Sequence, residues 1–223
     1  MKVSEALATR ISCRAFLDTP VPEATVRAIL DACRRAPSGG NLQPWFVHVV
    51  TGRTLKRLIE RVQDRLAEYP RGEGAEFRVY PEHLDEVYRE RRFQCGEDLY
   101  ATLGIPREDK AARRRQFSRN YTLFGAPVGL FFCLDRQMGP PQWADLGIFL
   151  QSVMLLAREY GLHTCPQEAW ALWPKTVGEV LRLPDNQMLF CGMALGYMDE
   201  DAPVNRLRTR RAPLEEFVTF HAD

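Results

Sequence analysis

The sequence lacks an excess of either charge, because 30 lysines and arginines face 29 aspartates and glutamates. A formal net charge of +1 gives no global field that would attract nucleic acid or an acidic membrane surface. The chain also contains no run of about 18 consecutive apolar residues, which a membrane-spanning helix needs, and no charged-then-apolar leader opens it. We therefore expect a soluble protein that binds neither nucleic acid nor a membrane, and any anion site must be a local cluster.

The six cysteines and four histidines are also too scattered to form a recognisable site. No CxxC pair is present, which is typical of reduced thiols and predicts a cytoplasmic protein. The histidines have no ligand-like spacing with cysteine or carboxylate, so no metal site is predicted. GxGxxG, GxxxxGK[ST] and GxSxG are absent as well, so neither a Rossmann turn, a nucleotide P-loop nor a serine nucleophile elbow is indicated.

What the sequence does contain is enough apolar material for one substantial core, 45% of 223 residues. Helical periodicity predicts helices at 22–36, 52–68, 141–160 and 174–181. Apolar and β-branched runs predict strands at 45–51, 126–135, 163–166 and 188–197. We expect a single α+β or mixed α/β domain spanning residues 1–223.

Two segments fall outside this pattern. The charge-rich stretch of about 69–120 predicts a hydrophilic helical excursion over the core. The final stretch, about 198–223, has little helical periodicity.

The first candidate site is the pair of arginines around Ser12. If helical geometry continues into this segment, Arg10 and Arg14 lie four residues apart on one face, with Ser12 nearby as a short donor. Two guanidinium groups held together repel, and an anion between them removes that cost because arginine offers fork-shaped donors to phosphate oxygens. A pair of solvated arginines is the alternative.

The second candidate is the segment that follows the first long helix, Pro37-Ser38-Gly39-Gly-Asn41. Consecutive glycines allow positive φ and a close approach of backbone to a ligand, and Asn41 supplies an amide that both donates and accepts. A loop of this kind can bind a flat ring. For this segment alone, general turn chemistry favours the alternative, a simple helix stop followed by a turn.

The third candidate is the segment after the short strand at 163–166. It comprises Pro166, Gln167, Glu168 and Ala169, and it can present backbone N–H groups to a redox cofactor, with the Glu168 carboxylate at the mouth.

The fourth candidate is the basic tail that begins at Asn205. In an extended chain, residues two apart share a face, so Arg206, Arg208 and Arg210 would align as a second anion clamp. A solvated basic tail is the alternative.

In this order, the segments RISCRAF, APSGGNLQPW, GL-x-T-C-P and GMALGY, followed by the basic tail, resemble the nitroreductase family. The resemblance covers most of the chain and is weakest over 69–116. It implies a mixed sheet with helices on both sides, and a homodimer with two FMN sites at its interface. The helix near Leu150 would form the dimer core, and the tail at about 198–223 would be an arm that crosses the partner.

The resemblance also implies roles for particular residues. Arg10, Ser12 and Arg14 would hold the phosphate, ribityl chain and pyrimidine edge of FMN, with Arg208 and Arg210 near the phosphate; Arg206 is the alternative to Arg208 in that register. The ring would be lined from the other subunit by Pro37, Ser38, Gly39 and Asn41, and its N5 edge by Pro166, Gln167, Glu168 and Ala169.

The implied chemistry is hydride transfer from NADH or NADPH to flavin N5 and then to a nitroaromatic or quinone-like acceptor, by a ping-pong mechanism. Arg14 is the candidate cation that stabilises the reduced ring. No protein nucleophile or metal is needed. The alternatives are a relative acting on another acceptor, by dehalogenation or enoate reduction, an FMN-binding protein without turnover, and a protein whose arginines dock an acidic partner.

Selection of a small aromatic acceptor is expected to lie in the excursion and in the segment that follows it. Tyr121 and Phe124 would cover the ring, although aromatic residues at this spacing more often pack in a core. Where family members often have a small residue and then glycine, this chain has Trp170 after Ala169, which would narrow the pocket.

Overall fold

Four strands form one sheet at the centre of the structure, a computed structural model that describes residues 1–222. They are β1 (Trp45–Thr51), β2 (Val128–Asp135), β3 (His163–Gln167) and β4 (Gln187–Gly196). The order across the sheet is β1-β2-β4-β3. All four were expected from the apolar runs, and β2 is buried along almost its whole length, as a central strand should be.

Every neighbouring pair of these strands is antiparallel, which corrects the mixed sheet implied by the resemblance. The reason lies in the position of β4. The strands β2 and β3, which a helix connects, run in the same direction, but β4 lies between them and pairs antiparallel with both. An isolated parallel bridge between Ser12 and Thr164 adds the N-terminal segment beside β3.

Helices cover both faces of the sheet. They are α1 (Val3–Thr9), α2 (Glu23–Cys33), α3 (Gly52–Arg65), α4 (Glu86–Thr102), α5 (Lys110–Ser118), α6 (Pro140–Glu159) and α7 (Pro174–Leu181). On one face, α2 and α6 bury Ile29, Leu146 and Val153 against the strands. On the other face, α3 and α7 bury Leu58 and Val177 against an aromatic layer. Each large apolar side chain removed from water in this way contributes about 1.5–3 kcal/mol before the entropy of ordering is counted.

The hydrophilic excursion is helical, as expected, and comprises α4 and α5. No residue of α4 is buried, so it lies on the surface. The carboxylate of Glu73 anchors the beginning of the excursion: it lies 2.6 Å from Arg65 of α3 and accepts hydrogen bonds from the Thr176 N–H and hydroxyl of α7 at 3.0 and 2.7 Å.

Among the described residues of the tail, the helical elements are short 3-10 turns at Pro203–Arg206 and Leu214–Glu216. Within residues 1–222, no helix is both long and apolar enough to cross a bilayer.

Candidate functional site

The segment between α1 and α2 is extended, which corrects the helical geometry assumed for the first arginine pair. The helix α1 ends at Thr9, and Arg10 has φ −64° and ψ 127°. The Cys13 N–H donates to the Thr164 carbonyl at 3.0 Å, so the backbone here bonds to β3 rather than continuing a helix.

The same three side chains nevertheless share one side of this segment. In extended backbone, alternate residues point in opposite directions. Cys13 is fully buried and Ile11 packs against the core. Arg10, Ser12 and Arg14 therefore face away from that core, and each of them is half-buried.

Asn205 connects the tail to this N-terminal segment. Its Oδ1 accepts the Arg14 N–H at 2.8 Å, and its Nδ2 donates to the carbonyls of Ala15 and Asp199, both at 2.8 Å. Arg208 Nη1 donates back to the Asn205 carbonyl at 2.9 Å. A buried amide thus fixes two basic segments 191 residues apart in the chain.

Asn205→Ala is expected to destabilise the fold by about 2–3 kcal/mol, because it leaves the Asp199 carbonyl and the Arg14 N–H without partners. It also removes one donor from the Ala15 carbonyl, which keeps the Asp199 N–H. Thermal unfolding of the variant is the measurement. Asn186→Ala serves as the control, because Asn186 is exposed and bonds Asp135 at the surface, and its effect should stay within about 0.5 kcal/mol. Equal melting temperatures for the two variants would contradict the role of Asn205.

The side chains of Arg206, Arg208 and Arg210 do not share one face of an extended tail, which corrects the alignment expected from their spacing. Arg206 closes the 3-10 turn that begins at Pro203, and Arg208 folds back onto the carbonyls of its own segment. Arg210 turns towards α4, where its Nε lies 4.0 Å from Asp98 Oδ2. Arg211 is the tail residue whose charge acts on Arg10.

The arginines brought together in this way form no ion pair within the described residues, although the charge of Glu5 acts on Arg158. Burial, and then the charge of Arg211, lower the pKa of Arg10. Burial, followed by the charges of Arg158 and Arg208, lowers the pKa of His163 to about 4. Within residues 1–222, a set of five arginines has no carboxylate oxygen within 4.0 Å: Arg10, Arg14, Arg158, Arg208 and Arg211. We call this set with His163 the basic cluster.

The other end of β3 carries the third candidate segment. Gln167 is buried, and its Nε2 donates to the Asn120 carbonyl at 2.8 Å. Its Oε1 is buried with no hydrogen-bond partner in the part of the chain that the structure describes. Glu168 is exposed and lies beside Tyr80, whose pKa is raised by burial and then by the Glu168 charge. The strand β3 therefore runs from His163 of the basic cluster to Gln167, whose buried Oε1 has no donor among the described residues.

The loop from Pro37 to Asn41 has the positive φ angles that its glycines allow, but it lies away from the basic cluster. Gly40 and Asn41 have φ of 55° and 56°, in the left-handed region that glycine and asparagine tolerate. The Gly39 N–H lies 3.2 Å from both carboxylate oxygens of Asp145, near the beginning of α6. Gln43 N–H donates to the Ser38 hydroxyl at 2.9 Å, and the backbone of Pro37 to Asn41 faces largely outwards.

Within one chain this loop and the basic cluster are separated by most of α6. Asp145 lies near the first turn of this helix and Arg158 in its last turn. At a rise of about 1.5 Å per residue, they are about 20 Å apart along the axis. The structure therefore brings the first, third and fourth candidate segments together and leaves the second apart.

Comparison with known proteins identifies the family to which this architecture belongs. Residues 7–197 match the Nitroreductase family. The chain belongs to that family.

Individual relatives match over nearly their full length. The 4-nitrobenzoate reductase of Pseudomonas putida is 40% identical over 214 residues, which are 96% of this chain and 93% of that protein. The crystal structure of the FMN- and NADPH-dependent nitroreductase NfnB from Sphigopyxis sp. strain HMH is 50% identical, with a TM-score of 0.97 over 100% of both chains. The FMN-dependent nitroreductase NfnB of Mycobacterium smegmatis, in complex with NADPH, is 32% identical, with a TM-score of 0.93 over 99% of this chain and 98% of that one.

In this nitroreductase the aromatic residues expected to contact the acceptor lie in the core instead. Tyr121 and Phe124 are each 2% exposed, and Trp170 is 0% exposed. The Trp170 ring packs edge-on against Tyr121 and Phe131, with centroids 5.7 and 5.0 Å apart. The indole of Trp170 therefore fills the interior rather than narrowing a pocket, because Gly192 leaves it room beneath the ring.

Sequence reasoning gave no site role to Asn205, Arg158 or His163. An isolated asparagine in a basic tail produces no periodic signal. Arg158 lies in the last turn of a strong amphipathic helix, where a cation is explained by the helix dipole alone.

Proposed function

We propose that this protein is an FMN-dependent oxidoreductase that takes hydride from NAD(P)H and reduces nitroaromatic compounds, with quinone-like compounds as further acceptors. The observation that carries the proposal is the basic cluster at one end of β3, which has positive charge without carboxylate partners. The names of the relatives agree with it, since they include a 4-nitrobenzoate reductase and nitroreductases that depend on FMN and NADPH.

The residues proposed to hold the flavin phosphate ester are Arg10, Ser12 and Arg208, whose chemistry fits an anion. The positive charges of Arg10 and Arg211 repel each other. An anion bound beside Arg10 would lower this repulsion and would accept charge-assisted hydrogen bonds. Because Arg210 contacts α4, Arg211 is the tail residue better placed to act with Arg208 on the phosphate.

The ring end is assigned to the segment from Pro166 to Ala169, which follows directly along β3. The unpartnered Oε1 of Gln167 supports this assignment, because a buried acceptor without a donor costs about 1–3 kcal/mol unless a ligand or water satisfies it. Arg14 lies between the two ends, where its cation can stabilise negative charge on the ring.

When bound, FMN supplies the hydride-accepting and hydride-donating atom of the reaction. The chain contributes the surroundings of that atom. Arg14 provides fixed positive charge without an ion-pair partner to compete for it, within residues 1–222. On the acceptor side, Tyr80 lies beside Glu168, with the Arg92 guanidinium 4.1 Å from the centre of its ring. These excursion residues form a wall against which an aromatic acceptor can pack.

The site is completed by a second copy of the chain in this proposal. The loop of Pro37, Ser38, Gly39 and Asn41 is anchored at the opposite end of α6 from the basic cluster. A two-fold axis across the middle of α6 would bring the first half of one helix beside the second half of the other. The loop of one subunit would then reach the flavin held by its partner, and the tail after Asp201 would serve as the arm between them.

The outer surface of α6 supports this arrangement. Ile148 is 43% exposed, and on the neighbouring α1 Val3 and Leu7 are 70% and 52% exposed. A groove of about 330 Å³ runs between α1, the end of α2 and α6. Several exposed apolar side chains on neighbouring helices are costly in water and are typical of a subunit interface.

Ile148→Asp is expected to dissociate the dimer, because it places a charge at the centre of the apolar α6 surface, where no partner is provided. Flavin content should fall with it, since the loop of the second copy is lost. Sedimentation velocity and the ratio of flavin to protein measure both effects. Glu60→Gln on α3, which covers the other face of the sheet and where the side chain is 58% exposed, is the control and should remain dimeric. A monomeric wild type with a full complement of flavin would contradict the two-chain site.

The function itself is tested with the purified full-length protein. It should be yellow, and its flavin absorbance should bleach rapidly on addition of NADH or NADPH and recover on addition of 4-nitrobenzoate, nitrobenzene or a quinone. Colourless, folded protein that takes up no added FMN would refute the proposal. Bound flavin that NAD(P)H fails to bleach would instead favour a binding protein without turnover.

A further inference from the structure

The loop of residues 37–43 is anchored to the rest of the chain by Asp145 of α6. Both carboxylate oxygens of Asp145 lie 3.2 Å from the Gly39 nitrogen, so they share its N–H. Among the described residues, the other hydrogen bonds of this loop are internal to it, such as the one from the Gln43 N–H to the Ser38 hydroxyl at 2.9 Å. The carboxylate is therefore the hydrogen-bonding contact that sets the position of the loop.

This anchor holds a backbone that is strained. Gly40 and Asn41 have φ of 55° and 56°, and Gln43 has φ of 51°. Glycine and asparagine tolerate the left-handed region, but glutamine does not adopt it readily. Residues 39–43 are all exposed, so packing within their own chain does not explain this conformation. A strained but anchored backbone on the surface is the arrangement expected of a preformed binding loop.

The Asp145 carboxylate is buried without a cation beside it. Asp145 is 9% exposed, and within residues 1–222 no lysine, arginine or histidine nitrogen lies within 4.0 Å of its oxygens. A buried carboxylate without a cation destabilises a fold, so stability alone gives no reason for an aspartate here. Its charge does strengthen the bond to the loop, because a hydrogen bond to an ionised acceptor is roughly twice as strong as a neutral one.

The anchor also lies at the surface that we assign to the dimer. Asp145 and Ile148 are three residues apart on α6, so they are neighbours on the helix surface, and Ile148 is 43% exposed. Arg158 of the basic cluster lies about 20 Å further along the axis of the same helix. Because it lies beside the proposed interface and away from its own basic cluster, the loop is placed to contact the flavin of the partner subunit.

We propose that Asp145 is a positioning residue for flavin binding across the dimer: its carboxylate holds the loop of residues 37–43 in the conformation that contacts the FMN of the partner subunit. The inference rests on the proposed FMN-dependent function and its two-chain site. Loss of the anchor should weaken flavin binding in the partner's site and leave the arginine segment of the same chain intact.

The first measurement is the dissociation constant of FMN for full-length variants. Asp145→Ala removes the acceptor and should weaken FMN binding about tenfold or more, the ratio that corresponds to one hydrogen bond to a charged group. Asp145→Asn keeps an acceptor oxygen on a side chain of the same size, and it should recover part of the loss. Asp31→Ala is the control, because the Asp31 side chain is 71% exposed and pairs with Arg34 at the end of α2. Its FMN affinity should equal that of the wild type.

Mixed dimers distinguish an effect on the partner's flavin from a general structural effect. Chains carrying Asp145→Ala and Arg14→Ala are co-expressed with different affinity tags, and the mixed dimer is isolated by two successive affinity steps. One of its sites combines the intact arginines of the first chain with the intact loop of the second, whereas the other site carries both changes. We expect the mixed dimer to bind one FMN with wild-type affinity, although each variant alone binds FMN weakly.

Wild-type FMN affinity in Asp145→Ala would overturn the inference. A mixed dimer that binds FMN as weakly as the two single variants would overturn it as well, because the substitution would then act within its own chain. If Asp145→Ala does not fold, Asp145→Leu takes its place in both measurements, since an apolar side chain of similar shape fills the space without an unpaired charge. A wild type that binds no flavin, or that binds it fully as a monomer, would instead refute the proposed function.

Discussion

Arg14→Ala should lose most of its bound FMN and should slow the bleaching of the remaining flavin by NADPH about a hundredfold, which is the usual effect of removing one electrostatic donor. The physical reason is that the substitution removes only the guanidinium. The backbone N–H of residue 14 remains to bond Asn205 Oδ1, so the segment keeps its place. The measurements are the flavin-to-protein ratio after gel filtration and stopped-flow absorbance.

The matched control is Arg27→Ala on α2. Its side chain is 77% exposed and pairs with Glu23 within the same helix, and exposed pairs of this kind contribute little. Flavin content and bleaching should therefore equal those of the wild type. If Arg14→Ala retains wild-type FMN affinity and bleaching, Arg14 has no part in the site.

Gly192→Ala should have the largest effect on stability, lowering the free energy of unfolding by about 3 kcal/mol. A Cβ at this position would lie 2.4 Å from Trp170 Cδ1 and 2.8 Å from its Cγ. The indole cannot move away, because Tyr121 and Phe131 pack against it and Trp170 is 0% exposed. For a chain of this size the loss corresponds to a melting temperature lower by about 10 °C.

Gly178→Ala in α7 separates this steric effect from the general effect of replacing glycine. No atom lies within 4 Å of a Cβ added there, and alanine is the better helix former by about 1 kcal/mol. Its melting temperature should equal or exceed that of the wild type. If the melting temperature of Gly192→Ala equals that of Gly178→Ala, the aromatic residues around Trp170 repack to make room for the added Cβ.

Flavin content gives a second measurement on the Gly192 variant. Trp170 directly follows Ala169, the last residue of the segment assigned to the ring. A displaced indole should therefore weaken FMN binding even at temperatures where the variant stays folded.

The local elements of this protein were predictable from short stretches of sequence. The run from Val128 to Leu134 is continuous and apolar, and it forms the buried central strand. The helix predicted at 141–160 is α6, and Gly161 follows its end with φ 70°, a conformation that residues with a Cβ rarely adopt. Periodicity and turn chemistry act over a few residues, so they are visible without a fold.

Arg10, Arg14 and Arg208 of the basic cluster were predicted as site residues, whereas Arg158, Arg211 and His163 were not, and neither was the way in which the chain holds them. Arg10 to Arg14 resembled a helical pair because their spacing is four, yet β3 offers the backbone a bridge and the segment is extended. The expected alignment of the tail arginines was wrong for a similar reason, because Arg210 lies beside Asp98 of α4. Arg211 is the tail residue whose charge acts on Arg10.

The sequence by itself determined the apolar strands, the helices that cover them, and the arginine and glycine segments that we propose for the flavin site. Only the tertiary structure decided that Trp170 fills the core, that Asn205 joins the N-terminal segment to the tail, and that Arg158 lies against His163. Those decisions depend on contacts between residues far apart in the chain, and a pattern of neighbours carries no information about which distant groups will meet.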